Sequence, residues 1–250
     1  MQSDMKLYKE LARFYDLIYS QTFKEFHEKY AFFIFEAYKK FCKSKGKNLL
    51  EVACGTGELM KRLKKFGFNV AGLDLNKEMI KIAKKKLKAK FYIADMKSFS
   101  LDEKFDVIAC VFTSMNYNLN KTELENTLKN FYEHLKQGGI VVFDIPPKRF
   151  LEKRIGKQWI NVFEHGALKI VRISQLEKGA EENTVKNVMA YFFKEKGKID
   201  FEIDVHVQGL FSVAEVKKLM KKVGFKKVYV FGNMNFEKYT INSNRAYFVG

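Results

Sequence analysis

Three carboxylates frame what this chain can fold into. Glu51, Asp74 and Asp95 each stand at or near the end of a short apolar run, 23 and 21 residues apart. The first run, 48–53, passes through Cys54-Gly55-Thr56-Gly57 into a helical pattern at 58–66 that Gly67 caps. The alternation continues as strand 69–73, helix 77–87, strand 90–94, strand 105–112, helix 122–135 and strand 140–145, with Gly138-Gly139 ending the last helix. Strands alternating with helices imply right-handed crossovers and a parallel sheet covered on both faces. Ligands of such sheets lie outside the carboxyl ends of the strands, so the three acids should face one crevice.

The flanks read differently. Apolar residues recur at three- and four-residue steps from Tyr8 to Cys42, which predicts two helices. After Pro146-Pro147 the residues 162–176, 184–194 and 199–208 read as three antiparallel strands. The last alternates strictly, with Phe201, Ile203, Val205 and Val207 on one face and Glu202, Asp204, His206 and Gln208 on the other. Ser212 and Glu215 form a capping box that opens a further helix, and 225–231 and 245–249 supply two closing strands. The expected fold is α/β and doubly wound, a seven-stranded, mostly parallel sheet with an antiparallel β-meander inserted after the fifth strand. The expected organisation is a helical cap at 1–47, a ligand-binding core at 48–147, the meander as a lid at 148–210 and a closing part at 211–250.

Composition narrows the class. With 47% hydrophobic residues, 25 Phe and only two Pro in 250 residues, the chain is neither disordered nor fibrous. Its 46 basic against 29 acidic residues leave a charge of +17, which invites a polyanionic partner. Yet only six of the basic residues are Arg, the side chain that phosphate recognition prefers. The densest run, Lys81 to Lys90, fits a solvated helix end. Cys42, Cys54 and Cys110 lack the spacing of a disulfide framework or zinc site, and no metal is expected. Neither a secretory leader nor an apolar run of about 18 residues is visible, so a cytoplasmic protein without membrane contact is expected.

The glycine turn carries chemistry. Gly55 and Gly57 bring backbone N–H groups near a ligand, but the third glycine of a dinucleotide fingerprint is missing and Glu51 would repel a pyrophosphate. A ligand with a positive amino acid group suits the turn better. Asp74 is placed to bridge a ribose diol, and Asp95 to accept from an adenine amino group.

These motifs resemble the class I S-adenosylmethionine-dependent methyltransferases. Glu51-Val52-Ala53-Cys54-Gly55-Thr56-Gly57 is similar to their first motif, with Ala53 where a glycine is commoner. Asp74-Leu75 resembles the ribose site, Asp95-Met96 the adenine clamp, and 105–112 the strand ending at the active site in Phe112. Leu135-Lys136-Gln137-Gly138-Gly139 resembles the turn before the fifth strand, and Tyr15-Asp16-Leu17-Ile18-Tyr19 the "YDxxY" of a subgroup whose N-terminal helix closes over the cofactor. The resemblance implies S-adenosylmethionine as cofactor, S-adenosylhomocysteine as product, and Tyr15, Tyr19, Glu51, Ala53, Gly55, Gly57, Asp74, Leu75, Asp95, Met96 and Phe112 as its binding residues.

The acceptor side is less defined, because transfer from a sulfonium needs chiefly position and, where required, proton removal. His206, Tyr117 and Asn116 are the catalytic candidates. His27 and His134 read as structural, Asp106 as a solvent-facing or capping residue, and Trp159 as pocket lining or core. A small-molecule acceptor methylated at N or O is the leading expectation. An RNA methyltransferase or a non-catalytic S-adenosylmethionine-binding subunit are the alternatives, and nucleic acid is not favoured.

Overall fold

The computed structural model describes residues 5–195 and 197–250, and the side chains of all of these except 20–24. The first four residues of the expected 1–47 cap and Lys196 of the meander lie outside the described residues. A 3-10 turn, Lys6–Tyr8, leads into one long helix, α1 (Ala12–Phe41). The two helices predicted there are thus one, because no Gly or Pro interrupts its 30 residues. Its first half packs Leu11, Phe14 and Ile18 on the meander, and its second half packs Tyr30, Phe33, Ile34 and Ala37 on the core. One helix therefore roofs both parts.

The core runs β1 (Asn48–Val52), α2 (Glu58–Lys65), β2 (Asn69–Asp74), α3 (Lys77–Lys86), β3 (Lys90–Ile93), β4 (Phe105–Cys110), α4 (Lys121–His134) and β5 (Leu135–Ile145). After α5 (Lys148–Glu152) come the meander strands β6 (Gln158–His165), β7 (Leu168–Lys178), β8 (Thr184–Glu195) and β9 (Lys198–Gly209), then α6 (Val213–Val223), β10 (Tyr229–Phe231) and β11 (Ala246–Val249). The main sheet has seven strands in the order β10-β11-β5-β4-β1-β2-β3, and β11 runs against the others, pairing antiparallel with both β10 and β5. Strand order reverses beside β1, where β2 and β4 flank it in parallel. That switch point places the crevice. The Ser212–Glu215 capping box forms as predicted.

Three local expectations are corrected. Gly138-Gly139 does not end α4; β5 already begins at Leu135, and Gly138 sits inside it at φ 77°. The run 162–176 is two strands, divided by Gly166 at φ 56°, so the meander has four strands. Asp106 does not face solvent: it is fully buried and accepts from Asn48 N (2.8 Å), Lys136 Nζ (2.9 Å) and Ser44 Oγ. Burial would raise its pKa, but these partners hold it below the usual carboxylate range.

Within the meander, strand β9 is folded with its polarity reversed. On β9 the apolar row faces outward, with Ile199 75%, Phe201 58% and Ile203 52% exposed, while Asp204 and His206 are buried. Alternation normally points the apolar row inward. Here the inner face of β9 meets the 3-10 turn and Tyr117, whose N–H and O–H groups bond Asp204 and His206, so the polar row is the one turned in.

Candidate active site

A cavity of about 710 Å³ lies between the carboxyl ends of β1, β2 and β4, the amino half of α1 and the inner face of the meander. Of the eleven cofactor-binding candidates, ten line it: Tyr15, Tyr19, Glu51, Ala53, Gly55, Asp74, Leu75, Asp95, Met96 and Phe112. Gly57 does not. It caps α2 from the left-handed region, at φ 77°.

The turn is shaped by backbone that favours glycine. Gly55 has φ 52° and Ala53, an L-residue, has φ 57°. A Cβ in this region costs about 1–2 kcal/mol, partly offset by the greater unfolded-state freedom of glycine. Ala53→Gly should therefore raise stability by about 0.5–1 kcal/mol, read as an upward shift in a thermal melt. An unchanged or lower Tm would contradict it.

Asp74 fastens the turn from the next strand. Its carboxylate accepts from Gly55 N and Asn76 N, both at 2.8 Å. Burial raises its pKa, though these N–H groups oppose the shift. Glu51 lies deeper: burial, reinforced by the Asp74 charge, pushes its carboxyl well above the ordinary range. Its Oε2 is buried with no partner. An unmatched buried carboxylate oxygen is costly and marks a place for a donor from a ligand. Asp95 accepts from Lys97 N at 2.9 Å, while Met96 anchors Asn130 through its carbonyl. Burial also pushes the Cys54 thiol up, away from the thiolate a nucleophile needs.

A polar clasp ties α1 to the same turn. Thr56 Oγ1 donates to Asp16 at 2.6 Å, and Lys86 pairs with both Asp16 and, at 3.2 Å, Glu58. Burial would raise the Glu58 pKa, but Lys61, Arg62 and Lys86 bring it down to about 2. Lys86 thus leaves the solvated face expected for the Lys81–Lys90 run. Tyr15 and Tyr19 pack against each other above, with ring centroids 4.5 Å apart and planes tilted by 34°.

At the end of β4, Phe112 and Thr113 take φ of 59° and 70°. Arg245 of the far strand donates to Thr113 Oγ1 at 2.9 Å and pairs with the fully buried Asp144, which itself accepts from Thr113 N. This ion pair pins the strained loop. The Phe112 ring packs on Tyr30 and on His27, at 4.5 and 4.7 Å. His27, read as structural on a charged helix face, also lines the cavity.

The opposite wall is a chain of proton-bearing groups. Tyr8 Oη lies 2.7 Å from Tyr117 Oη, which lies 2.8 Å from His206 Nδ1; His206 Nε2 lies 2.9 Å from Asp204 Oδ2. Burial would raise the Asp204 pKa, but His206 and the N–H groups of Leu7 and Lys6 hold it low. The ionised carboxylate fixes the proton on Nε2 and leaves Nδ1 to accept from Tyr117. Burial pushes the Tyr8 and Tyr117 hydroxyls up, so both stay protonated. Asn116 stands behind this wall, fully buried, and donates to Gly209 O at 2.8 Å, joining core to meander.

His134, which does not line the cavity, bonds Asn130 O and accepts from Leu101 N, and the exposed His165 lies in the β6–β7 hairpin. Trp159 is half-buried on the cavity wall beneath Arg154. Tyr8, Asp204 as a partner of His206, and the Asp144–Arg245 pair emerge only from the fold. Strict polar alternation along β9 was the one signal for Asp204; nothing local marks the other residues.

Residues 49–139 match the family described as methyltransferase domain. The chain is 30% identical over 207 residues to the dTDP-3-amino-3,4,6-trideoxy-alpha-D-glucopyranose N,N-dimethyltransferase of Streptomyces venezuelae, covering 81% of this chain and 82% of the relative. It is 32% identical over 192 residues to the dTDP-4-amino-2,3,4,6-tetradeoxy-D-glucose N,N-dimethyltransferase of Saccharopolyspora spinosa, covering 75% of each. Among solved structures, Streptomyces venezuelae DesVI superposes with a TM-score of 0.82 at 29% identity, over 96% of this chain and 97% of the other.

Proposed function

Because the chain belongs to the class I S-adenosylmethionine-dependent methyltransferases and uses that cofactor on a small molecule, we propose that it methylates an amine nitrogen of its acceptor. The observation that carries this reading is the cavity itself: carboxylates and a glycine turn on one wall, and a buried tyrosine–histidine–aspartate chain on the other. The relatives named above are N,N-dimethyltransferases of amino sugars, which favours nitrogen and an amino sugar for this chain too.

The orphan Oε2 of Glu51 suits the cofactor's ammonium, Asp74 its ribose diol, and Asp95 with Met96 its adenine. Tyr15 and Tyr19 cover the site from α1 and Phe112 from the segment after β4, and Gly55, its N–H held by Asp74, leaves the turn without a side chain on the cavity wall. The cofactor supplies a methyl group already activated on a sulfonium. What remains for this chain is to hold the amine in line, keep water out and receive a proton. In our reading Tyr117 takes the amine proton while passing its own to His206 Nδ1, and the Asp204 charge stabilises the imidazolium.

Binding should move a proton. Glu51 has a raised pKa in the free protein, and an ammonium on Oε2 lowers it, so binding favours the ionised form and weakens as pH falls. Calorimetric titration with S-adenosylhomocysteine in buffers of different ionisation enthalpy should show proton release on the acid side, absent in Glu51→Gln. Identical heats in every buffer for both proteins would contradict the placement. No binding at all would contradict the family assignment of the site.

A further inference from the structure

The meander has two faces, and only one of them is covered. On the inner face α1 lays Leu11, Phe14 and Ile18 against Phe163, Ile170, Met189 and Tyr191. Among the described residues no element of the chain packs on the outer face, yet that face is apolar. Cross-strand register aligns its central row across all four strands as Ile160, Ile173, Ala190 and Ile203. The flanking rows run from Val162 to Phe201 on one side and from Gln158 to Val205 on the other. None of these twelve positions is charged, in a chain of which 30% is charged.

A sheet face left to water is normally polar. Here Ile160 is 67% and Val162 57% exposed on β6, and Phe192 on β8 packs its exposed ring on Phe201 of β9 with centroids 6.1 Å apart. With Ile173, Ile199, Ile203 and Val205 these side chains present roughly 750 Å² of apolar surface, above the about 300–600 Å² of the largest patch on a typical monomer. It also approaches the about 800 Å² that each partner buries in a stable interface.

The rim selects the occupant. Glu164 pairs with Lys169 at 2.8 Å at one end of the face, and Glu177 with Lys186 at 2.9 Å at the other. A face that enters a lipid surface is ringed by free cations, whereas these lysines are neutralised by carboxylates. A chain at +17 repels its own copies except where charge is absent or paired, and this face meets both conditions. An apolar centre inside a polar rim is the anatomy of a protein interface. What fits a regular, open sheet face is another such face, since two sheets pack about 10 Å apart with strands within about 30° of each other.

We propose that two copies of this chain join through the outer faces of their meanders, as a two-fold dimer whose centre is an eight-stranded sandwich. A two-fold axis sets the same apolar rows against themselves. The inner faces then point away from each other, and neither cavity is closed by the partner. Val205 lies between Asp204 and His206, so the partner's sheet backs the strand that carries the presumptive proton acceptor.

Sedimentation equilibrium at micromolar concentration should return about twice the chain mass of 29.3 kDa. The dimer should persist at high salt, which screens charges but does not weaken apolar burial. Phe201→Glu and Ile160→Glu, one on each edge strand, would bury an unpaired carboxylate and should each raise the dimer dissociation constant about 100-fold or more, with the far-ultraviolet dichroism of the wild type retained. Ile203→Ser, expected to cost about 10-fold, serves if the glutamate variants do not fold. Ile241→Glu, at a position 65% exposed outside the meander, should leave the dimer intact. A wild-type protein that is monomeric at every concentration, a dimer indifferent to all three meander variants, or one lost equally in Ile241→Glu would each overturn the interface. So would flotation of the wild type with phosphatidylserine vesicles that Phe201→Glu abolishes, which would assign the face to a lipid surface.

Discussion

Asp74→Ala should weaken S-adenosylhomocysteine binding about 100-fold. A ribose diol on a buried carboxylate forms two charge-assisted hydrogen bonds, each about 1.5–3 kcal/mol, and 1.4 kcal/mol is tenfold in affinity. The substitution also releases Gly55 N and Asn76 N, which loosens the turn that forms this wall of the cavity. Asp74→Asn keeps one acceptor oxygen and should lose about 10-fold. Calorimetric titration checks both. Binding within threefold of wild type in the Ala variant would mean that Asp74 serves only the fold of the turn.

The second large effect concerns rate. Tyr117→Phe removes the bridge between Tyr8 and His206, and His206→Gln removes the proton's destination. Positioned proton transfer contributes about 100-fold or more, so either variant should lower kcat by that order while S-adenosylhomocysteine affinity stays within about threefold. A loss confined to KM would assign the pair to acceptor binding. Asp204 is a poorer probe, because its carboxylate also holds the N–H groups of Lys6 and Leu7.

These two residues mark the limit of what the chain's order reveals. Asp74 was legible because one βα unit repeats: a carboxylate at each strand end, at matching spacing, must face the same crevice. The N-terminal tyrosines were legible only through a family resemblance, since a tyrosine on a helix reads equally as core. His206 was visible as one member of a polar row, but its role depends on Asp204 two residues away and on Tyr8 and Tyr117, brought up from distant segments. The reversed polarity of β9 shows why. Alternation states that a strand has two faces, and only the neighbouring α1 and 3-10 turn decide which is inside.

Asp144 and Arg245 lie 101 residues apart and meet because β11 pairs with β5 antiparallel, Ala246 against Ile145. No local pattern carries that. Lys86 was hidden for another reason: among six basic residues at a helix end, only the packing of α1 singles out the one that turns inward to Asp16. The +17 charge is a property of the whole chain, whereas the carboxylates assigned to the cofactor lie together in one cavity.

The most direct test is a transfer assay with methyl-labelled S-adenosylmethionine and dTDP-linked amino sugars, read by mass spectrometry. The predicted result is an acceptor that gains one or two methyl groups on nitrogen, with an equal amount of S-adenosylhomocysteine formed. A protein that binds the cofactor, leaves every amine unmodified and labels RNA or a hydroxyl instead would contradict it.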